Sequence, residues 1–265
     1  MSRKITLRRL LSEQYPRWGG REILAHVLCG EVYADGERIT DINALVSDGA
    51  VAELRSLHRF VSRGGDKLNA ILEEWGLDVR GRVFLDAGAS TGGFTDCLLR
   101  RGAAFVYCVD VGYNVLDYRL RVDPRTEVLE RTNIMDVDGA SFGSRTPDAA
   151  VMDLSFRSIR GAAEHLLKLT VQKWAVALVK PQFEWMDPPG TFRGIVHDGK
   201  QRYSILKRLR DDLSSAGVYV NRAGLSALRG RKGNHEYFFL LEQSFPAKRS
   251  IGVDILDSLV RSCPE

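Results

Sequence analysis

Apolar and polar positions follow two regimes along this chain. From residue 83 onward, short and nearly unbroken apolar runs recur: Val83-Phe84-Leu85, Phe105-Val106-Tyr107-Cys108-Val109, Ala149-Ala150-Val151-Met152 and Trp174-Ala175-Val176-Ala177-Leu178-Val179. Such runs read as strands buried on both faces, as in parallel sheets. Each ends in a polar residue or a glycine turn, as does Val128-Leu129 before Glu130-Arg131-Thr132-Asn133. A helix is predicted from about Gly93 to Leu99, and Gln201 to Ala216 has helical spacing. Val218 to Leu228 and Glu236 to Leu241 read as a final antiparallel hairpin, with Tyr237, Phe238 and Phe239 in its core. The expected fold is α/β, a doubly wound Rossmann-like sheet with a C-terminal antiparallel hairpin.

Before residue 58 the pattern changes. Two predicted helices carry Arg3, Lys4, Arg8, Arg9, Arg17 and Arg21, and the stretches 30–36 and 46–51 read as short strands broken by turns. The expected division is a small α+β domain over 1–57, a linker over 58–64, where Ser62-Arg63-Gly64-Gly65 begins, and a larger domain over 65–265. At 265 residues the chain is long enough for one large core and a small satellite. The formal charge of +4 is mild, so the clustered cations favour a focused nucleic-acid footprint over a basic coat. Lys4, Arg8, Arg9, Arg21 and Arg63 are the candidate phosphate contacts, although a solvated helix face explains the charge equally well.

Cysteines 29, 97, 108 and 263 lack metal-ligand spacing, so no metal is expected and reduced thiols in the cytoplasm are the simple account. No apolar run reaches the roughly 20 residues that span a bilayer, and no secretory leader is evident. No internal repeat and no obligate protein partner is apparent either.

The stretch Asp86-Ala87-Gly88-Ala89-Ser90-Thr91-Gly92-Gly93-Phe94 follows the first apolar run and is the richest in chemistry. Its glycines allow a sharp strand-to-helix turn and close approach to a ligand, with free N–H groups at the helix start. It is not the G-x-G-x-x-G of a dinucleotide site, and a cofactor with an amino-acid end and a ribose, such as S-adenosylmethionine, suits it better. A plain tight turn is the alternative. Asp110 ends the next strand, where an acid reaches ribose hydroxyls in doubly wound folds.

Lys67, Asp153, Lys180 and Glu236 are two lysines and two acids that would work as a set if they converge, positioning a ribose hydroxyl and taking its proton. Ordinary surface ion pairs are the competing reading. Phe156 and Phe183 each follow a member of this set closely; packing is the favoured reading, with walls of a substrate pocket or platforms for a displaced base as the alternative. Asp187-Pro188-Pro189-Gly190 breaks the chain, and Arg193-Gly194-Ile195-Val196 reads as a surface loop or a mobile rim.

Taken in order, Ser62 to Leu68, Asp86 to Thr95, Asp110 to Tyr113, Glu130 to Asn133, Asp153 to Phe156, Val179 to Glu184 and Gly233 to Glu236 resemble the TlyA family over nearly the whole chain. That family joins an S4 RNA-binding domain to an FtsJ-like 2′-O-ribose methyltransferase domain. The resemblance implies methylation of cytidine in ribosomal RNA of the large subunit, and in some members the small, with S-adenosylmethionine as cofactor and ribosomal RNA or subunits as partner. It implies a catalytic tetrad of Lys67, Asp153, Lys180 and Glu236, with Lys180 the base. It implies a cofactor site of Asp86, Gly88, Ala89, Ser90, Thr91, Gly92, Gly93, Phe94, Asp110, Asn133 and Asp153. Three places depart from the family's pattern: Gly19-Gly20-Arg21 replaces the more usual Ser-Arg entry to the second helix, His58-Arg59-Phe60 replaces an Arg-x-Trp linker, and Met135 stands where many members have arginine. Some members carry a haemolysin label. A non-catalytic RNA-binding assembly factor, a membrane-active toxin and a base methyltransferase are the rival classes.

Overall fold

The computed structural model describes residues 3–28, 30–54, 59–243 and 250–263, without the side chains of Arg21 and Arg231. Cys29 and His58 lie outside the described residues. The chain divides into two compact units, Met1–Arg59 with Leu116–Asp123, and Phe60–Val115 with Pro124–Glu265. Nothing in the apolar pattern marks out the second segment of the first unit.

The first unit runs β1 (Lys4–Thr6), α1 (Leu7–Gln14), α2 (Gly20–Leu28), β2 (Val32–Ala34), β3 (Glu37–Arg38), β4 (Leu45–Ser47) and β5 (Ala52–Leu54). β1 pairs antiparallel with β4, and β2 with both β3 and β5. Thr6 caps α1, its hydroxyl accepting from Arg9 N. Asp35 and Gly36 take positive φ values of 51° and 85°, which suits the tight β2–β3 hairpin. These strands are too short to stand alone, and Leu7, Leu10, Leu11, Ile23, Val27, Val32 and Val46 share one core beneath them. The Gln14 amide ties α1 to the chain before β5, donating to Ala50 O at 2.8 Å and accepting from Ala52 N at 2.9 Å.

The second unit begins with α3 (Arg63–Trp75), β6 (Val83–Ala87), α4 (Gly93–Arg100) and β7 (Phe105–Asp110). A short α5 (Tyr118–Arg121) belongs to the first unit, packing on α2, with Arg119 bridging Glu31 at 2.7 Å. The second unit continues with β8 (Thr126–Glu130), β9 (Ala149–Met152), α6 (Ala162–Leu169), β10 (Trp174–Val179), α7 (Pro181–Glu184), α8 (Gly199–Ser215), β11 (Tyr219–Leu225), β12 (Tyr237–Glu242) and α9 (Val253–Arg261).

Its seven strands are ordered β11-β12-β10-β9-β6-β7-β8. The five from β10 to β8 are parallel, and β12 and β11 complete the sheet antiparallel. The chain moves outward from β6 to β8 and then returns to place β9 beside β6. The loops after β6 and β9 therefore flank the switch point, where open α/β sheets bind ligands. The pleat sends Leu85, Ala87, Tyr107, Met152, Ala177, Val179, Tyr237 and Phe239 into a core shared with α6, α8 and α9. As the sequence implied, Tyr237, Phe238 and Phe239 are fully buried.

On the opposite face α3 and α4 pack together. Their approach depends on glycine. A Cβ on Gly93 would stand 2.8 Å from Gly65 N, and one on Gly65 would stand 2.8 Å from Gly93 O. The helices are close enough that the first turn of each reaches the other's backbone. Gly93→Ala is expected to cost about 1–3 kcal/mol through this overpacking, read as a lower midpoint of denaturant unfolding with an unchanged slope.

Candidate active site

The glycine loop after β6 turns through Gly88, Ser90 and Gly92 at φ values of 83°, 49° and 93°. A side chain at Gly88 would also strike Asp153 O, 2.5 Å from its Cβ position. Gly88 N and Ala89 N both donate to Val109 O, at 2.8 and 3.1 Å, so the loop is sewn to β7. Ser90 and Thr91 are exposed at its crest.

Asp110, half-buried at the end of β7, accepts from Ser90 N at 2.8 Å through Oδ2 and from Gly112 N at 2.7 Å through Oδ1. A carboxylate has about four lone-pair directions, so two remain for hydroxyl donors such as those of a ribose. Asn133 is exposed, but its side-chain oxygen already accepts from Met135 N at 3.1 Å and from Arg157 at 3.2 Å.

Three of the residues expected to hold a cofactor make packing or hydrogen-bond contacts of their own inside the protein. Gly93 and Phe94 are buried: Gly93 forms the helix crossing, and Phe94 stacks on Phe238 with ring centroids 6.2 Å apart. Both shape the site by packing. Asp86 is also fully buried, with Oδ2 accepting from Thr95 Oγ1 at 2.6 Å and Oδ1 unpartnered among the described residues. Desolvation pushes its carboxyl up to about 7; Thr95 opposes this, while the charges of Asp153 and Asp110 add to it. It lies beneath the loop rather than at its surface.

The four-residue set resolves into two ion pairs, with both lysines buried. Lys67 Nζ meets Glu236 Oε2 at 2.5 Å, and Lys180 Nζ lies 2.5 Å from Asp153 Oδ1. The second contact is off-axis for a hydrogen bond; the ammonium donates instead to Leu154 O and Ser155 Oγ, both at 3.1 Å. Lys180 follows β10, Asp153 follows β9, and Glu236 precedes β12 one step past the Val179–Tyr237 pairing. Three neighbouring strands thus deliver three members to one sheet edge, and α3 brings Lys67. All but Asp153 are at most 9 % exposed, which separates them from ordinary surface pairs.

Phe156 sits beside this edge at φ 63° and is 90 % exposed, with its ring centroid 5.5 Å from that of Phe183. A non-glycine residue held in the left-handed region beside such a set marks a functional loop. Residues 194–196, which the sequence left between surface loop and mobile rim, are pinned. Asn234 accepts from Val196 N at 3.2 Å and donates to Gly194 O at 2.8 Å, and Arg202 donates to Val196 O at 3.1 Å. Sequence reasoning missed these pins, as well as Thr95 and Ser155 as ligands of the buried acid and ammonium.

Of the basic candidates, Lys4 and Arg8 are exposed, as is Arg9, which pairs with Glu13 at 2.8 Å. Arg63 is exposed at the start of α3, and the side chain of Arg21 lies outside the described residues. Among the described residues there is no cluster of metal-ligating side chains and no helix long and apolar enough to cross a membrane.

Residues 60–243 match the FtsJ-like methyltransferase family. The chain is 40 % identical over 215 residues to the 16S/23S rRNA (cytidine-2′-O)-methyltransferase TlyA of Mycobacterium tuberculosis, covering 80 % of each. It is 37 % identical over 212 residues to Hemolysin A of Brachyspira hyodysenteriae, covering 80 % of this chain and 88 % of that one. A solved structure from Streptococcus thermophilus, provisionally named a hemolysin, superposes with a TM-score of 0.72 at 31 % identity over 98 % of this chain and 96 % of that one.

Asp86 gives the site a pH signature. Its folded value of about 7 stands above the 3.8 of an unperturbed carboxyl, so between them the folded state holds the extra proton. Stability from this group is full below about pH 4 and is lost as pH rises through about 7. In thermal melts, the stability difference between wild type and Asp86→Asn is expected to move against the wild type by about 4 kcal/mol across that span. Parallel curves would show that the carboxyl is ionised throughout.

Proposed function

The chain belongs to the FtsJ-like methyltransferase family, and from that membership we propose that it is an S-adenosylmethionine-dependent 2′-O-methyltransferase of cytidine in ribosomal RNA. The observation that carries this reading is the pair of a buried Lys180 and a half-buried Asp153 at the sheet edge, beside the glycine loop. A ribose hydroxyl is a poor nucleophile until its proton has somewhere to go, and a positioned amine beside the site supplies that place.

The residues present fit the cofactor. The Gly88 turn leaves backbone exposed, Asp110 keeps lone pairs for two ribose hydroxyls, and Ser90, Thr91 and Asn133 rim the cradle. When bound, the cofactor supplies an electrophilic methyl carbon on a sulfonium. The chain's own part is to place the 2′-oxygen and accept its proton. Lys180 takes the proton at Nζ in its neutral amine form, having first released the ammonium proton to solvent, and Asp153, Leu154 O and Ser155 Oγ hold that nitrogen in place. Lys67 and Glu236 form the second wall, each charge matched by the other so that neither is left uncompensated out of water. Phe156, exposed and fixed by its backbone, offers a face on which a displaced base stacks.

Residues 1–57 act in this reading as an S4-like RNA-binding domain, joined through 58–64 to the catalytic domain. Lys4, Arg8, Arg9, Arg21 and Arg63 meet phosphates, so binding weakens as salt rises. The M. tuberculosis relative is named for 16S and 23S rRNA, and a Campylobacter jejuni relative, 31 % identical over 200 residues, for 23S rRNA alone. The large subunit is common to both names and is the favoured substrate, and work on ribosomes in the cytoplasm goes with that reading.

Incubation with labelled S-adenosylmethionine and separate ribosomal subunits lacking the modification, followed by mass-spectrometric mapping, tests the reaction. Label on a cytidine ribose of the large subunit is the expected result, and label on a base or none at all overturns it. Lys180→Ala is expected to bind cofactor normally by calorimetry and to lose methyl transfer by at least about 100-fold. Full activity in that variant would remove Lys180 from its role.

A further inference from the structure

The loop that carries Asp153, Leu154, Ser155 and Phe156 is held at two places by one short helix. Lys180 immediately precedes α7 and grips the near end of the loop through Leu154 O and Ser155 Oγ. Glu184 is the last residue of α7 and grips the far end. Its Oε1 accepts from Ile159 N at 2.9 Å, and its Oε2 accepts from Ser158 Oγ at 2.5 Å and from Arg160 Nη1 at 2.8 Å. Arg160 in turn donates through Nε to Asp212 of α8 at 2.8 Å. Glu184 is 2 % exposed, and burial pushes its carboxyl above the usual range, opposed by Ser158, Ile159 N and Arg160.

We infer that Glu184 is a positioning residue for methyl transfer, bracing the 154–160 loop so that the Lys180 amine and the Phe156 ring stay in register with the substrate. This rests on the reading of Lys180 as the proton acceptor. A buried carboxylate joined to an arginine is seldom the cheapest way to fill a core, because apolar residues of similar volume do as well or better. Its value here lies in geometry. With both ends fixed to one turn of helix, the intervening residues have little freedom, and Phe156 lies between the two anchors in the left-handed conformation. Without the brace the near-end contacts would have to hold the loop alone, and displacement of an acceptor group by about 1 Å is enough to cost a large factor in rate.

The test uses the full chain, labelled S-adenosylmethionine and large ribosomal subunits lacking the modification. Glu184→Gln keeps an oxygen acceptor for Ile159 N but loses the charge that holds Arg160; Glu184→Ala loses both, and Arg160→Met attacks the brace from its other side. Single-turnover methyl transfer is expected to fall roughly 10- to 100-fold, less for Gln than for Ala, while cofactor affinity and the KM for subunits stay within about twofold. Combining Glu184→Gln with Arg160→Met is expected to be no slower than the slower single variant, since both break one unit. A merely structural role would lower the melting temperature and the folded fraction but leave the rate per folded molecule unchanged, and that result overturns the inference. If Glu184→Ala does not fold, Glu184→Gln and Arg160→Met decide the matter. Lys180→Ala serves as the separating control. If it is inactive while the Glu184 variants are unaffected, this inference alone fails; if it is fully active, or the wild type methylates nothing, the functional reading fails and takes this one with it.

Discussion

Two ammonium groups are taken out of water at one sheet edge, and the surrounding structure has to answer for them. An unmatched buried cation costs several kcal/mol, so each lysine comes with a carboxylate in contact, Glu236 for Lys67 and Asp153 for Lys180. That requirement dictates much else. Three strands must end at the same level, a helix from before the sheet must lay Lys67 across them, and the loop after β9 must turn its carbonyl and hydroxyl toward Lys180.

The glycines serve the same end from the opposite direction. Removing side chains at Gly65 and Gly93 lets α3 sink onto α4, which helps bring Lys67 within reach of Glu236. At Gly88 the missing Cβ lets the β6 turn lie against the chain at Asp153. The cradle and the charged set are therefore built from one continuous piece of packing, and Asp86, sealed beneath them, is held away from solvent as a result.

Much of this could be read from residues in order. The apolar runs located the parallel strands because strands buried on both faces need no polar alternation, and the residues ending them supplied Asp110, Asp153 and Lys180. Which residues pair was not legible, since Lys67 and Glu236 are 169 positions apart and only the sheet order brings them together. The packing of Gly93 against α3 and of Phe94 on Phe238 was not legible, because a strand-to-helix glycine loop reads the same whatever its later residues pack against. The pinning of residues 194–196 was hidden for a related reason: a single asparagine whose amide serves two backbone groups leaves no periodic trace. The second segment of the first unit, 116–123, had no signal either, being short and mixed in polarity.

That segment has a bearing on how the protein can be divided. The backbone crosses between the two units three times, near residues 59, 115 and 123, and the middle crossing falls five residues after Asp110. Here, cutting the chain at residue 60 parts Arg119 from Glu31 and α5 from α2, leaving behind a fragment of the departed unit. The two halves are spliced rather than strung, so neither can be excised as a clean module by one scission.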